Sequence, residues 1–252
     1  MLEIEIFSDV ICPWCFVGKR RLERTLLGAQ PQTSLDDTSL VDTQLGEGVR
    51  LRYRPFLLYP RTPKQGVDRG EFLRRRYGGS SQARGLPENL RHEAQVEGIT
   101  LRYDLIKFHP STRAAHRLLE WCAGYNDDAH PLGVQSVALE GLFQAYFCEG
   151  RDIGDVSELV SLAAAMALPV QGLAERLHED VELDAEIGAQ LQRADDLGVT
   201  GVPGYLFGGS YLLPGAQSLK TRPQLSSGRK SGSALSGSFN HRADLNTGKG
   251  FQ

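Results

Sequence analysis

Leu2-Glu3-Ile4-Glu5-Ile6-Phe7-Ser8-Asp9-Val10-Ile11-Cys12-Pro13-Trp14-Cys15 decides how this chain is read. Leu2, Ile4 and Ile6 alternate with Glu3 and Glu5, the period of a pleated strand with one face buried. Ser8 to Ile11 is then the turn out of that strand. Pro13 suits the first position of a helix, where a missing N–H costs nothing, and Gly28 is a fitting stop about four turns later. Cys12 thereby takes the N-cap, where a sulfur faces unpaired backbone N–H groups and the positive end of the helix dipole. Both favour a thiolate over a thiol. Cys12 is the expected nucleophile. Cys15, one turn further with its side chain on the same face, is placed to attack a mixed disulfide on Cys12 and release the product, which makes it the expected resolving thiol. Such a pair points to thiol–disulfide exchange.

The composition is compatible with that reading and removes others. The chain has 252 residues, 40% hydrophobic and 23% charged, enough for one globular domain or one domain with a large insertion. A net charge of −3 argues against a global basic surface for nucleic acid or anionic membrane. No basic region precedes an apolar stretch at the start, and no segment approaches the roughly 20 apolar residues of a spanning helix, so the chain reads as soluble and unexported. Four cysteines, at positions 12, 15, 122 and 148, are too few and too unevenly spaced for a disulfide scaffold. Cys122 and Cys148 fall in apolar helical stretches and read as small buried hydrophobes. A zinc site from all four is the sharper alternative, but structural zinc usually takes two closely spaced pairs and this chain has one.

Residues 29–48 are polar with little periodicity, a loop or insertion. Val49, Leu51 and Tyr53 then alternate with Arg50, Arg52 and Arg54 to give a second strand ending at Pro55. Strand, helix, strand is a βαβ unit, so the two strands are expected to be parallel. From Asp68 to Gly198 the pattern is helical: Glu71–Tyr77, Glu88–Glu97, Thr112–Tyr125, Leu132–Phe147, Val156–Leu168, Gln171–Glu179 and Leu183–Leu197. Asp155 and Glu158 have the spacing of a capping box. This is too much for one crossover helix and reads as a helical domain inserted into an α/β fold. The expected division is a thioredoxin-like domain from 1–62 and 185–217, an inserted helical domain from 63–184, and a low-complexity tail from 218–252. Tyr205-Leu206-Phe207 and Tyr211-Leu212-Leu213 flank Gly208-Gly209-Ser210 as a hairpin, with Pro203 at its entrance. The tail, with seven Ser, five Gly, six Lys or Arg and one Asp, has the composition of a disordered segment. A basic anion-binding arm is its alternative reading.

These features resemble the DsbA-like branch of the thioredoxin superfamily. The likeness is greatest to its FrnE-type subgroup, related to 2-hydroxychromene-2-carboxylate isomerases and kappa-class glutathione transferases. The carriers are Ile6 to Cys15 with Gly18-Lys19-Arg20-Arg21, Ala115-His116-Arg117-Leu118, Phe143-Gln144-Ala145-Tyr146-Phe147, Gly201-Val202-Pro203 and Pro214-Gly215-Ala216-Gln217. The resemblance covers about residues 1–217 and implies an α/β, thioredoxin-like fold with a large inserted helical domain. It also implies a cis peptide at Val202-Pro203, lying against the cysteine pair and offering the Val202 backbone to an extended substrate. After Gln217 the chain lacks the helix that the resemblance implies should cover the sheet, which would leave one face open. Trp14 reads either as an exposed platform for apolar substrate or as a cover for the helix start. His116 matches the motif, although a helical histidine is more often hydrogen-bonded packing than an acid or base. Lys19, Arg20 and Arg21 read as a solvated face.

The leading functional expectation is exchange with protein or peptide thiols and disulfides in a reducing, cytoplasmic compartment. Neither nucleic acid nor membrane is expected as a partner, and no cofactor is expected beyond glutathione as a reductant. A glutathione-dependent small-molecule isomerase or transferase is the first alternative. The resemblance implies a serine at the Cys12 position in such enzymes. A non-enzymatic module using Cys12 and Cys15 for metal or packing is the second.

Overall fold

β1 (Leu2–Ser8) and β2 (Val49–Pro55) lie in parallel, Ile4 beside Leu51 and Ile6 beside Tyr53. Helix α1 (Pro13–Leu26) follows β1 in the chain. The computed structural model describes residues 2–27, 48–78, 87–125, 132–178 and 180–215. Gly28, nearly all of the 29–48 stretch and the 218–252 tail therefore fall outside the described residues. On the other side of β1 runs β5 (Gly204–Phe207), antiparallel, and then β6 (Tyr211–Pro214), giving the order β2-β1-β5-β6. The hairpin at Gly208-Gly209-Ser210 thus forms as its glycines dictate: Gly208 and Gly209 both take positive φ, which β-branched or bulky residues avoid.

The helices between β2 and β5 are α2 (Arg69–Tyr77), α3 (Glu88–Val96), α4 (Arg113–Ala123), α5 (Val134–Phe143), α6 (Val156–Ala165), α7 (Leu173–His178) and α8 (Val181–Asp196). They match the periodic segments to within a few residues. The fold is α/β and thioredoxin-like with a large helical insertion. α4 is its centre: residues 114–120 are all buried, and the helix packs against α5, α7 and α8. Arg117 fixes that packing, holding Asp184 in a fork at 2.9 and 2.8 Å and donating to the Leu177 carbonyl at 2.7 Å. Aspartates cap three of the helices, Asp68 to Glu71 N–H, Asp155 to Glu158 N–H and Asp180 to Leu183 N–H. Glu158 pairs with Arg151 instead of reaching back to Asp155, so only half of the predicted capping box forms. A two-residue pairing, β3 (Val67–Asp68) with β4 (Phe108–His109), is too short to show in the sequence pattern.

α5 continues into a π-helical turn at Gln144–Cys148. The wider turn presents the Phe147 carbonyl to the Arg102 N–H at 2.7 Å and stacks Phe143 and Phe147 on Phe16 of α1, with ring centroids 5.0 and 6.3 Å away. Gly150 ends it with φ +71°, where a Cβ would stand 2.5 Å from the Leu105 carbonyl oxygen. A side chain there would displace that loop.

Two sequence expectations are corrected. β1 does not have one open face: Ile4 and Ile6 face the core shared with α1, α4 and α5, while Phe7 packs with Ala194 and Val199 at the end of α8. Glu5, on that second face, is only 5% exposed, held by Arg54 of β2 at 2.6 Å and Arg193 of α8 at 2.5 Å. α8, starting just ahead of the 185 boundary, supplies cover that was expected only from a later helix. Lys19 and Arg21 are likewise not a solvated face. Lys19 sits between Glu23 at 2.6 Å and Glu140 at 3.0 Å, and Arg21 is buried against Glu93 and Glu97.

β2 lies at an edge of the sheet, and its Tyr53 is nevertheless satisfied. Gln135 of α5 accepts the Tyr53 N–H at 2.8 Å and donates to the Tyr53 carbonyl at 2.9 Å, so a side-chain amide stands where a neighbouring strand would. Gln135→Ala is expected to destabilise the protein by about 2–3 kcal/mol, because an unsatisfied buried polar group costs roughly 1–3 kcal/mol and two are exposed at once. A lowered urea midpoint at constant slope would register it.

Candidate active site

The end of β1 delivers the chain to Ser8 and Asp9, both buried, and the turn closes when Cys12 N–H donates to the Asp9 carbonyl at 3.0 Å. Cys12 is the N-cap of α1 with extended backbone and no side-chain capping bond, and Pro13 occupies the first turn. Its carbonyl accepts from the amides of Cys15 at 3.0 Å and Phe16 at 3.3 Å, so the two cysteines are separated by one helical turn. All four cysteines of the chain are free thiols. Cys12 and Cys15 are both buried, under 4% exposed, which differs from a simple picture of one open and one hidden sulfur.

What distinguishes the two is their surroundings. Cys12 Sγ lies 3.6 Å from the Val202 carbonyl, its hydrogen-bond acceptor. The pairing of β5 with β1, which sets Gly204 beside Phe7, brings Val202 there, and the Val202–Pro203 peptide is cis, as the resemblance implies. Cys15 faces inward. Burial pushes its thiol well above the ordinary value, and the neighbouring Cys12 adds to the rise, while the Ser8 hydroxyl and the Asp9 amide oppose it. Trp14 is half-buried and packed on the core beside the thiols, nearer the covering role than that of a free platform.

Several residues around the thiols were not singled out by sequence. Tyr205 is buried and Tyr103 half-buried; burial raises both hydroxyls, and both cysteines add to the rise at Tyr205 while Cys12 adds to it at Tyr103. Arg69 lies 4.9 Å over the Tyr103 ring. Asp9 is fully buried, its Oδ2 accepting the Leu58 N–H at 2.7 Å, and its Oδ1 faces His116 Nε2 at 3.5 Å. A turn aspartate ahead of the cysteines was visible as a residue, but only the tertiary fold reveals that it is buried. Cys122 is buried in α4, which pushes its thiol up to about 12, and Cys148 ends the π turn. Among the described residues no cluster of three or more His, Cys, Asp or Glu side chains could hold a metal ion.

His109 stacks on Phe72 at 3.6 Å with Tyr59 edge-on at 4.8 Å. Burial drives its imidazole from an ordinary 6.5 down to about 4, against the pull of Asp9 and with help from Arg69. The unfolded chain therefore takes up this proton first as pH falls, so the stabilisation is complete above pH 6.5 and is lost on descending toward pH 4. At 1.36 kcal/mol per unit the loss is about 3 kcal/mol. His109→Phe is expected to flatten this part of the stability–pH curve, measured by urea unfolding at successive pH values.

Residues 3–224 match the DSBA-like thioredoxin domain, and the chain belongs to that family. A probable DsbA oxidoreductase from Streptomyces coelicolor is 30% identical, with a TM-score of 0.68 over 86% of this chain and 85% of that one. YwbO of Bacillus subtilis, itself uncharacterized, is 24% identical over 215 residues, 85% of this chain and 90% of its own length. A 2-hydroxychromene-2-carboxylate isomerase shares the fold at 14% identity, with a TM-score of 0.56 over 85% of this chain and 89% of that one. Among the described residues no helix is long and apolar enough to cross a membrane.

Proposed function

We propose that this protein exchanges disulfides with protein or peptide substrates through Cys12 and Cys15. The observation that supports it most is the pair of free thiols one turn apart at the start of α1, with Cys12 Sγ 3.6 Å from the backbone of Val202. Cys12, as thiolate, attacks one sulfur of a substrate disulfide; a Cys12–substrate bond forms and the second substrate sulfur leaves as a thiolate. Cys15 gives up its proton and attacks the Cys12 sulfur, forming the Cys12–Cys15 disulfide and freeing the other substrate thiolate. The substrate gains two electrons and two protons, and the pair is oxidised. A thiol reductant such as glutathione returns it to the dithiol, and the reverse sequence oxidises a dithiol substrate. Trp14, Val202 and Pro203 form the substrate contact, an extended segment taking the place of the Cys12 thiol on the Val202 carbonyl. The compartment is a reducing, cytoplasmic one, and the partners include neither nucleic acid nor membrane.

Glutathione-dependent isomerisation would have no use for a resolving thiol, and the placement of Cys15 one turn from Cys12 favours exchange. Equilibration of the protein against glutathione redox buffers, with thiols counted by mass spectrometry, tests the proposal. A reversible two-electron transition confined to Cys12 and Cys15 is expected. A protein that never forms an internal disulfide at any ratio would refute it.

A further inference from the structure

The Asp9 main chain touches both cysteines, Cys12 at its backbone and Cys15 at its sulfur. Its carbonyl accepts the Cys12 N–H at 3.0 Å, and its amide lies against the Cys15 sulfur. Its side chain points the other way, toward the helical insertion. Oδ2 is taken by the Leu58 N–H at 2.7 Å; Oδ1 has no hydrogen-bond partner among the described residues, and His116 Nε2 on α4, also without one, faces it at 3.5 Å. Asp9 is fully buried and His116 is 2% exposed, so water does not screen either group. The other titratable or charged groups turned toward Asp9 are His109 of β4, Tyr59 from the segment after β2, Tyr146 of the π turn and the cysteines of α1. Arg69 of α2 acts in turn on His109 and Tyr146.

We propose, building on the disulfide-exchange reading, that Asp9 and His116 are a buried positioning pair through which α4 sets how readily the Cys12–Cys15 site accepts negative charge. The Asp9 carboxylate opposes a thiolate at either sulfur. The His116 imidazole draws on Oδ1 and offsets that opposition. The two residues therefore act on the thiols with opposite sign although they touch each other, whereas mere loosening of the turn would move the thiols the same way in both variants.

The test is the rate of Cys12 alkylation by iodoacetamide across pH, followed by peptide mass spectrometry on the full chain, with the glutathione reduction potential measured alongside. Alkylation does not require exchange, so failure here is separate from failure of the exchange reading. At pH 6, Asp9→Asn is expected to alkylate about tenfold faster than wild type and His116→Asn about tenfold slower, the change that a one-unit shift of the thiol produces. Their potentials should move in opposite directions, Asp9→Asn becoming more oxidising. The double variant should follow Asp9→Asn, because without the carboxylate His116 has nothing to offset. His116→Gln, which keeps an N–H donor at that position, should recover part of the rate. Shifts of the same sign in both single variants, or changes below about twofold in both, overturn the proposal. If neither His116 variant folds, Asp9→Asn decides alone, and an unchanged or slower rate refutes the pair.

Discussion

Cys12→Ser is expected to abolish disulfide exchange, leaving less than about 1% of the wild-type rate, while Cys15→Ser accumulates mixed disulfides on Cys12. The two sulfurs are equally buried, so the difference comes from their settings. Cys12 stands at the helix terminus beside Val202, and Cys15 lies inward against Ser8 and Asp9 with its thiol driven upward by burial and by Cys12. Mass spectrometry of each variant after exposure to an oxidised peptide reads the outcome directly, and adducts gathering on Cys15 instead would reverse the assigned roles. The raised Cys15 thiol carries a second consequence. Resolution of the mixed disulfide needs the thiolate, so that step should accelerate about tenfold per pH unit as long as pH remains below the raised value. A single-turnover release experiment between pH 6 and 9 would detect it, and a flat profile would mean that Cys15 is not the attacking group.

Lys19→Met should produce a large loss of stability. Lys19 is 3% exposed and its ammonium lies between Glu23 and Glu140; Glu23 also accepts from the Tyr53 hydroxyl at 2.9 Å and from Ser136. Removing the cation leaves two carboxylates facing one another in a site shielded from water. Breaking a buried pair typically costs 3–5 kcal/mol; with Glu140 a quarter exposed, about 3 kcal/mol is expected, a melting temperature roughly 6–12 °C lower. Burial alone would push the Glu140 carboxyl up, but Lys19 and Arg20 more than offset it and hold the group below its ordinary 4.5. The stabilisation is thus present above that value and fades as pH falls through the depressed one. The deficit of Lys19→Met should narrow below about pH 4, because protonated carboxyls no longer need the ammonium. Calorimetry at pH 7 and pH 3.5 would separate this from a simple packing defect, which would keep its size.

The parts of the fold legible in the sequence are those that local rules decide. The alternation of Leu2 to Ile6, the Pro13 helix start, the apolar periods of α4 and α8 and the Gly208-Gly209 turn each need only their own neighbourhood. The cysteine pair was readable for the same reason, since its placement follows from one strand and one helix. Burial of charge was not readable. Lys19, Arg21, Glu5 and Asp9 have polar side chains, and the partners that let them enter the interior arrive from α3, α5, α8, the loop after β2 and α4. Nothing in the spacing along the chain announces those meetings. The β3–β4 pairing and the π turn escaped for a different reason. One is shorter than any period, and the other differs from an α-helix by a single hydrogen-bond step.

The side-chain amide of Gln135 closes the sheet at its β2 margin. At β2 a foreign strand would meet hydrogen-bonding groups of Tyr53 already engaged, and would have to evict a buried amide before it could zip onto the row. Templated self-association by strand addition is therefore obstructed on that side at the level of one residue. A chain in which Gln135 is replaced by a shorter residue would lose stability and regain a sticky seam together, so misassembly in such a variant should begin at β2 even while most molecules remain folded.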